Sequence, residues 1–320
     1  MKLPQLKIGE LIAKYPIVQG GMAVRISTGA LAGAVAAAGG IGVIAISAIP
    51  MDEIRREIQI ARSLAAGGIV GINIMFAARE FWGAVQTAVK EKIDLIITGA
   101  GFSRDIFKLG QRSGTPILPI VSSARLGITA EKLGASAVVV EGKEAGGHLG
   151  TDRSVWEILP EARKAVKIPV IAAGGIVHGE EVAKALKMGA NGVQMATRFV
   201  LSEECNAAPV YKKRYQTATK DDVVIISSPV GMPGRAIKTA FVEKILNKTA
   251  PHPIGCDFCL RNCSLEYCIL QALINAQEGD IENGIVFSGE NVWKIKDRSV
   301  RPAAKIFSEI VAEAEEAKDC

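Results

Sequence analysis

Thr115-Pro116-Ile117-Leu118-Pro119-Ile120, followed by Glu131-Lys132-Leu133-Gly134-Ala135-Ser136-Ala137-Val138-Val139-Val140, is one phrase of this chain. The chain repeats it as Ile168-Pro169-Val170-Ile171-Ala172-Ala173, followed by Leu186-Lys187-Met188-Gly189-Ala190-Asn191-Gly192-Val193-Gln194-Met195. Each copy reads strand, helix, Gly-Ala turn, strand. Alternating units of this kind build a parallel sheet, and quarter-barrel repetition favours a closed (β/α)8 barrel of the α/β class over an open doubly wound sheet. No Gly-x-Gly-x-x-Gly follows the first strand, which counts against a dinucleotide-binding open sheet.

Working outward, eight strands are expected at Ile17–Gln19, Ile41–Ala45, Val70–Ile74, Leu95–Ile97, Ile117–Ile120, Ala137–Val140, Val170–Ala172 and Gly192–Met195. They are apolar almost throughout, as strands covered on both faces are. Helical spacing of apolar residues predicts helices at Thr28–Ala38, Met51–Leu64, Phe81–Lys90, Ala124–Leu133 and Glu180–Met188. After Thr197 the rhythm fails. The expected organisation is a barrel over residues 1–200, a smaller proline-broken cap inserted after strand eight over 201–290, and a last helix over 291–320. That helix should pack back on the barrel through Val300, Ala303, Ala304, Phe307, Ile310, Val311 and Ala314.

Bulk composition narrows the function. A net charge of +5 over 320 residues, with no concentrated basic stretch, gives no nucleic-acid footprint. The N-terminus carries Lys2, Lys7 and Lys14 without an apolar signal core, so a soluble cytoplasmic protein is expected. Ile26 to Met51 holds no charge, but Gly39-Gly40 divides it, and a barrel helix followed by a buried strand accounts for it better than a membrane span.

In a barrel the chemistry sits at the C-terminal ends of the strands, and the loops after strands seven and eight commonly hold phosphate. Here they read Ala173-Gly174-Gly175-Ile176 and Gln194-Met195-Ala196-Thr197-Arg198. Glycines let main-chain N–H groups approach phosphate oxygens, and a helix N-terminus adds a favourable dipole. Gln19-Gly20-Gly21-Met22 ends the first strand and could seat a flat ring, although a plain turn fits nearly as well. Asn73 interrupts the apolar third strand, and Ser122 and Glu141 end strands five and six. His148 closes the glycine-rich loop Glu141-Gly142-Lys143-Glu144-Ala145-Gly146-Gly147-His148, where an imidazole can take or give a proton near neutral pH. An ordinary loop histidine is the plainer reading. His178 and His252 are expected to be structural or solvent-exposed.

Four of these stretches together resemble the flavin-dependent nitronate monooxygenases (2-nitropropane dioxygenases) and their relative, the flavin enoyl-acyl-carrier-protein reductase of the second type. They are Pro16-Ile17-Val18-Gln19-Gly20-Gly21-Met22, the 141–148 loop, Pro169-Val170-Ile171-Ala172-Ala173-Gly174-Gly175-Ile176 and Gly192-Val193-Gln194-Met195-Ala196-Thr197-Arg198-Phe199. The resemblance implies FMN held by Gly21, Met22, Asn73, Ser122, Glu141, Gly147, Gly174, Gly175, Gln194, Met195 and Thr197, with His148 as catalytic base or substrate-orienting residue. It implies a small-molecule substrate. Oxidative denitrification of an alkyl nitronate comes first. NAD(P)H-dependent reduction of an enoyl thioester is the alternative, and a non-catalytic flavin-binding protein the second alternative. A homodimer is left open. The monooxygenases often carry a basic residue near the end of strand five, where this chain has Ser122-Ser123.

Cys256, Cys259, Cys263 and Cys268 fall within thirteen positions as Cys-x2-Cys-x3-Cys-x4-Cys, apart from Cys205 and Cys320. In a reducing compartment such crowding points to metal before disulfides. A [4Fe–4S] cluster is expected ahead of zinc, since a zinc site generally uses two Cys-x2-Cys halves. A metal-free set of thiols is the remaining reading.

Overall fold

Eight apolar strands close on themselves in the computed structural model, which describes residues 2–317; Cys320 lies outside the described residues. A hairpin of β1 (Leu6–Ile8) and β2 (Leu11–Ala13) comes first. The barrel strands are β3 (Ile17–Gln19), β4 (Ile41–Ala45), β5 (Ile69–Met75), β6 (Leu95–Gly99), β7 (Ile117–Val121), β8 (Val138–Glu141), β10 (Val170–Ala173) and β11 (Gly192–Met195). The short β9 (Gly147–His148) stands outside the ring. All eight are parallel, and β11 pairs back to β3. Between them run α1 (Gly29–Ala37), α2 (Met51–Leu64), α3 (Phe81–Lys90), α4 (Arg104–Ser113), α5 (Ala124–Leu133), α6 (Val155–Ala165) and α7 (Gly179–Lys187). This is the expected (β/α)8 TIM barrel.

Two cores result from the alternation of side chains along each strand. Val18, Val43, Ile97, Leu118, Val139 and Ile171 fill the barrel interior, joined by Leu6 and Ile8 of the hairpin. Their neighbours Ile17, Ile44, Ile96, Val138, Val170 and Val193 face the helical layer. The uncharged stretch from Ile26 to Met51 becomes α1 and β4, pressed against each other. Its small residues have a reason: a Cβ at Gly42 would lie 1.8 Å from the Ala32 carbonyl oxygen. Among the described residues no helix is long and apolar enough to cross a membrane.

Beyond β11 the chain forms a 3-10 turn (Thr197–Leu201), α8 (Pro209–Thr217), β12 (Val223–Ser227), β13 (Pro233–Ile237), α9 (Ala240–Leu246), α10 (Ile269–Glu278) and β14 (Val286–Phe287). The antiparallel β12-β13-β14 sheet gains a fourth strand from the barrel, because β9 pairs with β13 through Gly147↔Arg235 and His148↔Gly234. Its own core includes Ile226, Ala236, Val242, Tyr267 and Ile285.

The final helix, α11 (Ala303–Glu316), packs against α7 and α1. Its buried face is Ala303, Ile306, Phe307, Ile310, Val311 and Ala314. Two residues expected on that face are not there. Val300 is 37% exposed because it precedes Pro302, after which the helix begins, and Ala304 points to solvent while Ile306 takes the inward position.

Candidate active site at the strand ends

The C-terminal ends of the strands and the segment beyond β11 enclose a cavity of about 410 Å³. Gly21, Met22, Asn73, Ser122, Glu141, Gly147, His148, Gly174, Gly175, Gln194 and Thr197 all line it. Of the residues expected there, only Met195 is not among those lining it. Its side chain lies in the outer core at 1% exposure, because strand alternation turns Gln194 inward and Met195 out.

One side of the cavity is a cradle of main chain. Gly174 and Gly175 have φ of +103° and +72°, a left-handed pair that glycine adopts without strain. Facing them is Ser288-Gly289-Glu290-Asn291, from just beyond β14. The Gly289 N–H donates to Thr197 Oγ1 at 3.1 Å, and Asn291 Nδ2 donates to the Gly175 carbonyl at 2.8 Å. Sequence reasoning missed this arm. Its signal was a glycine-centred polar turn after the short apolar run Ile285-Val286-Phe287.

The buried atoms bear on whether a ligand fits. Gln194 Oε1 and Ser288 Oγ are buried without a hydrogen-bond partner. Both residues line the cavity. Buried polar atoms are normally satisfied, so these two and the glycine cradle form a donor and acceptor set suited to a polar ring and a phosphate. Asn73, by contrast, already donates from Nδ2 to the Ile97 carbonyl at 3.3 Å, leaving its Oδ1 for a ligand.

His148 is fixed by β9, whose pairing with β13 aims its ring across the cavity. Nε2 lies 2.8 Å from Ser228 Oγ, and the ring meets Phe287 edge-on at 5.2 Å. Desolvation lowers its pKa to about 4, so the imidazole is neutral at pH 7. Burial alone pushes Glu141 the other way, up to about 8. Its carboxyl therefore holds a proton at neutral pH and can donate a hydrogen bond.

The loop carrying these groups is braced from below and above. Glu144 accepts from Ser154 Oγ and from the Val155 N–H at 3.0 Å, tying the loop to the start of α6. Arg235 donates to the Ala145 carbonyl at 3.1 Å. Tyr211 and Tyr215 stack at 5.7 Å and both donate to the Phe287 carbonyl. None of Ser228, Arg235, Tyr211 or Tyr215 was legible as a site residue, since each arrives through tertiary contacts from beyond residue 200. The other histidines are placed as expected. His178 is buried at the start of α7, 2.9 Å from the Lys294 carbonyl, and His252 is exposed.

The cysteine-bearing segment docks at the rim beside this cavity. Leu260 bridges Ala78 in the loop after β5, Arg79 N–H donates to the Cys259 carbonyl at 3.0 Å, and Arg261 N–H donates to the Ala77 carbonyl at 3.0 Å.

A family model described as nitronate monooxygenase matches residues 5–81 and 67–313. Over 240 residues the chain is 32% identical to a (3aS,4S,5R,7aS)-5-hydroxy-7a-methyl-1-oxo-octahydro-1H-indene-4-carboxyl-CoA dehydrogenase of Mycobacterium tuberculosis, covering 74% of this chain and 67% of that protein. A probable nitronate monooxygenase of Staphylococcus aureus is 26% identical, with 94% of each chain covered. Among solved structures, FabK from Thermotoga maritima matches with a TM-score of 0.86 at 33% identity, over 95% of this chain and 94% of that one.

Proposed function

The chain belongs to the nitronate monooxygenase family of oxidoreductases, and from that premise we propose an FMN-dependent enzyme that reduces a neutral enoyl thioester. The observation that carries this choice is the charge of the cavity. Among the described residues that line it there is no lysine or arginine, and its one histidine is held neutral. A nitronate is an anion, and burying an anion without a fixed counter-charge is costly. A thioester carbonyl needs only hydrogen-bond donors, and protonated Glu141 is one. The apolar mouth, with Phe102, Leu126, Met232 and Leu273, suits an acyl chain.

Two of the relatives above 30% identity support the same reading: one is named for a carboxyl-CoA substrate, and FabK is an enoyl-acyl-carrier-protein reductase II. Nitronate oxidation, first in order from the sequence, becomes the second reading, favoured by the family model's description and the Staphylococcus relative.

In this reading the amides around Gly174, Gly175 and Gly289, with Thr197 and Ser288, hold the cofactor phosphate. Gly21, Met22, Asn73, Ser122, Glu141, Gly147 and Gln194, which line the same cavity, would hold its ring. Bound there, FMN supplies the hydride chemistry, with NAD(P)H or another reductant as electron donor. His148 holds or moves the proton at Nε2, oriented by Ser228, and Phe287 keeps water from its ring. The test is the identity of the flavin released when the purified protein is denatured. FMN is expected at about one per chain; FAD, or no flavin from well-folded protein, would contradict the proposal.

A further inference from the structure

Residues 251–266 include no buried side chain, and apart from the single bridge at Leu260 they form neither helix nor strand. Ile254, Phe258 and Leu265 are among the most exposed large apolar residues of the described chain. Apolar packing therefore does not hold this segment, yet it carries Cys256, Cys259 and Cys263, with Cys268 two residues beyond it at the start of α10. Two of the sulfurs accept main-chain hydrogen bonds: the Phe258 N–H to Cys256 Sγ at 3.3 Å and the Gln271 N–H to Cys268 Sγ at 3.4 Å. Donors of this kind stabilise a thiolate ligand and tune the centre it holds.

A zinc site generally uses two Cys-x2-Cys halves, and this stretch has only one, which favours a cluster over a single zinc ion. A cluster with four thiolates is also anionic, and two guanidinium groups stand at the segment: Arg79 over its Phe258 ring at 5.0 Å, and its own Arg261 over the Phe76 ring at 4.6 Å.

Placement suggests the use. Cys259 lines a second cavity together with Ile46 and Ile74, while the adjacent residues Ser47, Asn73 and Met75 line the strand-end cavity. One layer of strand-end backbone separates the two. We propose that Cys256, Cys259, Cys263 and Cys268 hold a [4Fe–4S] cluster that staples this segment to the barrel rim and passes electrons into the flavin site. Saturating one C=C bond takes two electrons and two protons. A low-potential one-electron donor supplies the electrons singly through the cluster, and water supplies the protons. The cluster rests on the four thiols; its relay role rests on FMN occupying the strand-end cavity.

Iron, sulfide, zinc and flavin should be measured on one sample made and purified without oxygen. About four irons and four sulfides per chain are expected, with absorbance near 400 nm beyond the flavin bands and a paramagnetic signal after dithionite. Cys259→Ser should lose the iron and keep the flavin, and reduction of that flavin by reduced methyl viologen should slow at least about tenfold. One zinc per chain, or four titratable thiols without metal, would overturn the cluster. Full iron with equal viologen rates in both proteins would overturn the relay. Four irons without flavin would support the cluster while overturning the flavin reading.

Discussion

Between Ile41 and Ala45 every residue is buried, whereas between Pro251 and Glu266 none is. The two regions are held by different physics. In the barrel, stability comes from apolar area and close packing, so shape is what matters at each position. In the cysteine segment there is little buried apolar area; main-chain hydrogen bonds to the loop after β5 dock it, and in our proposal a cluster on four thiolates adds the remaining cohesion. The barrel should therefore be sensitive to single methyl groups and indifferent to iron, and the segment the reverse.

The largest effect should come from Gly42→Val. The nearest atom to its new Cβ is a backbone carbonyl that cannot swing away, so the cost should exceed the ~1–3 kcal/mol usual for overpacking and leave little folded protein. A soluble variant with an unchanged denaturation midpoint would break the contrast. Arg198→Met comes next. Arg198 is 2% exposed and joins the strand-eight turn to α11 through Glu309 at 3.3 Å and Glu313 at 3.4 Å. Removing one member of a buried ionic group typically costs about 3–5 kcal/mol, read here by urea denaturation.

His148→Ala should leave flavin bound and lower turnover by roughly 10²-fold, the usual worth of a positioned acid or base. Equal turnover would remove the residue from the chemistry, and lost flavin would make it a binding group. The pH dependence is smaller and has two limbs. A neutral His148 with pKa about 4 costs stability as pH falls from about 6.5 to 4, because only the unfolded chain takes up the proton there. Protonated Glu141, with pKa about 8, costs stability as pH rises from about 4.5 to 8, because only the unfolded chain has released its proton. The Glu141→Gln variant should therefore hold its melting temperature better than wild type between pH 6.5 and 8. The smallest effect should be Gly255→Ala, whose Cβ meets nothing within 4 Å. A change within about 0.5 kcal/mol is expected from the same denaturation curves.

How legible these regions were follows from how local their signals are. The strands of the barrel were readable because each carries its own apolar run and turn glycines, and Met51–Leu64, Phe81–Lys90 and Ala124–Leu133 fall where the spacing puts them. The helix α6 is masked in the sequence by Pro160, its sixth residue, since a proline there removes the N–H that would bond the Trp156 carbonyl. The cradle half made of Gly174 and Gly175 was visible as a motif. Ser288, Gly289, Ser228 and Arg235 were not, because their roles exist only once β9 and β13 pair across more than eighty residues of sequence. Met195 was drawn into the list by its neighbours, and strand alternation removes it.

The central claim is that a cavity lined by no cationic side chain among the described residues selects a neutral thioester over an anionic nitronate. Comparing kcat/KM for a trans-2-enoyl thioester without oxygen and for an alkyl nitronate in air, on one flavin-loaded preparation, tests it most directly. The account predicts at least about tenfold preference for the thioester, equivalent to ~1.4 kcal/mol of transition-state stabilisation. Faster use of the nitronate, or no turnover of the thioester with any reductant, would contradict it.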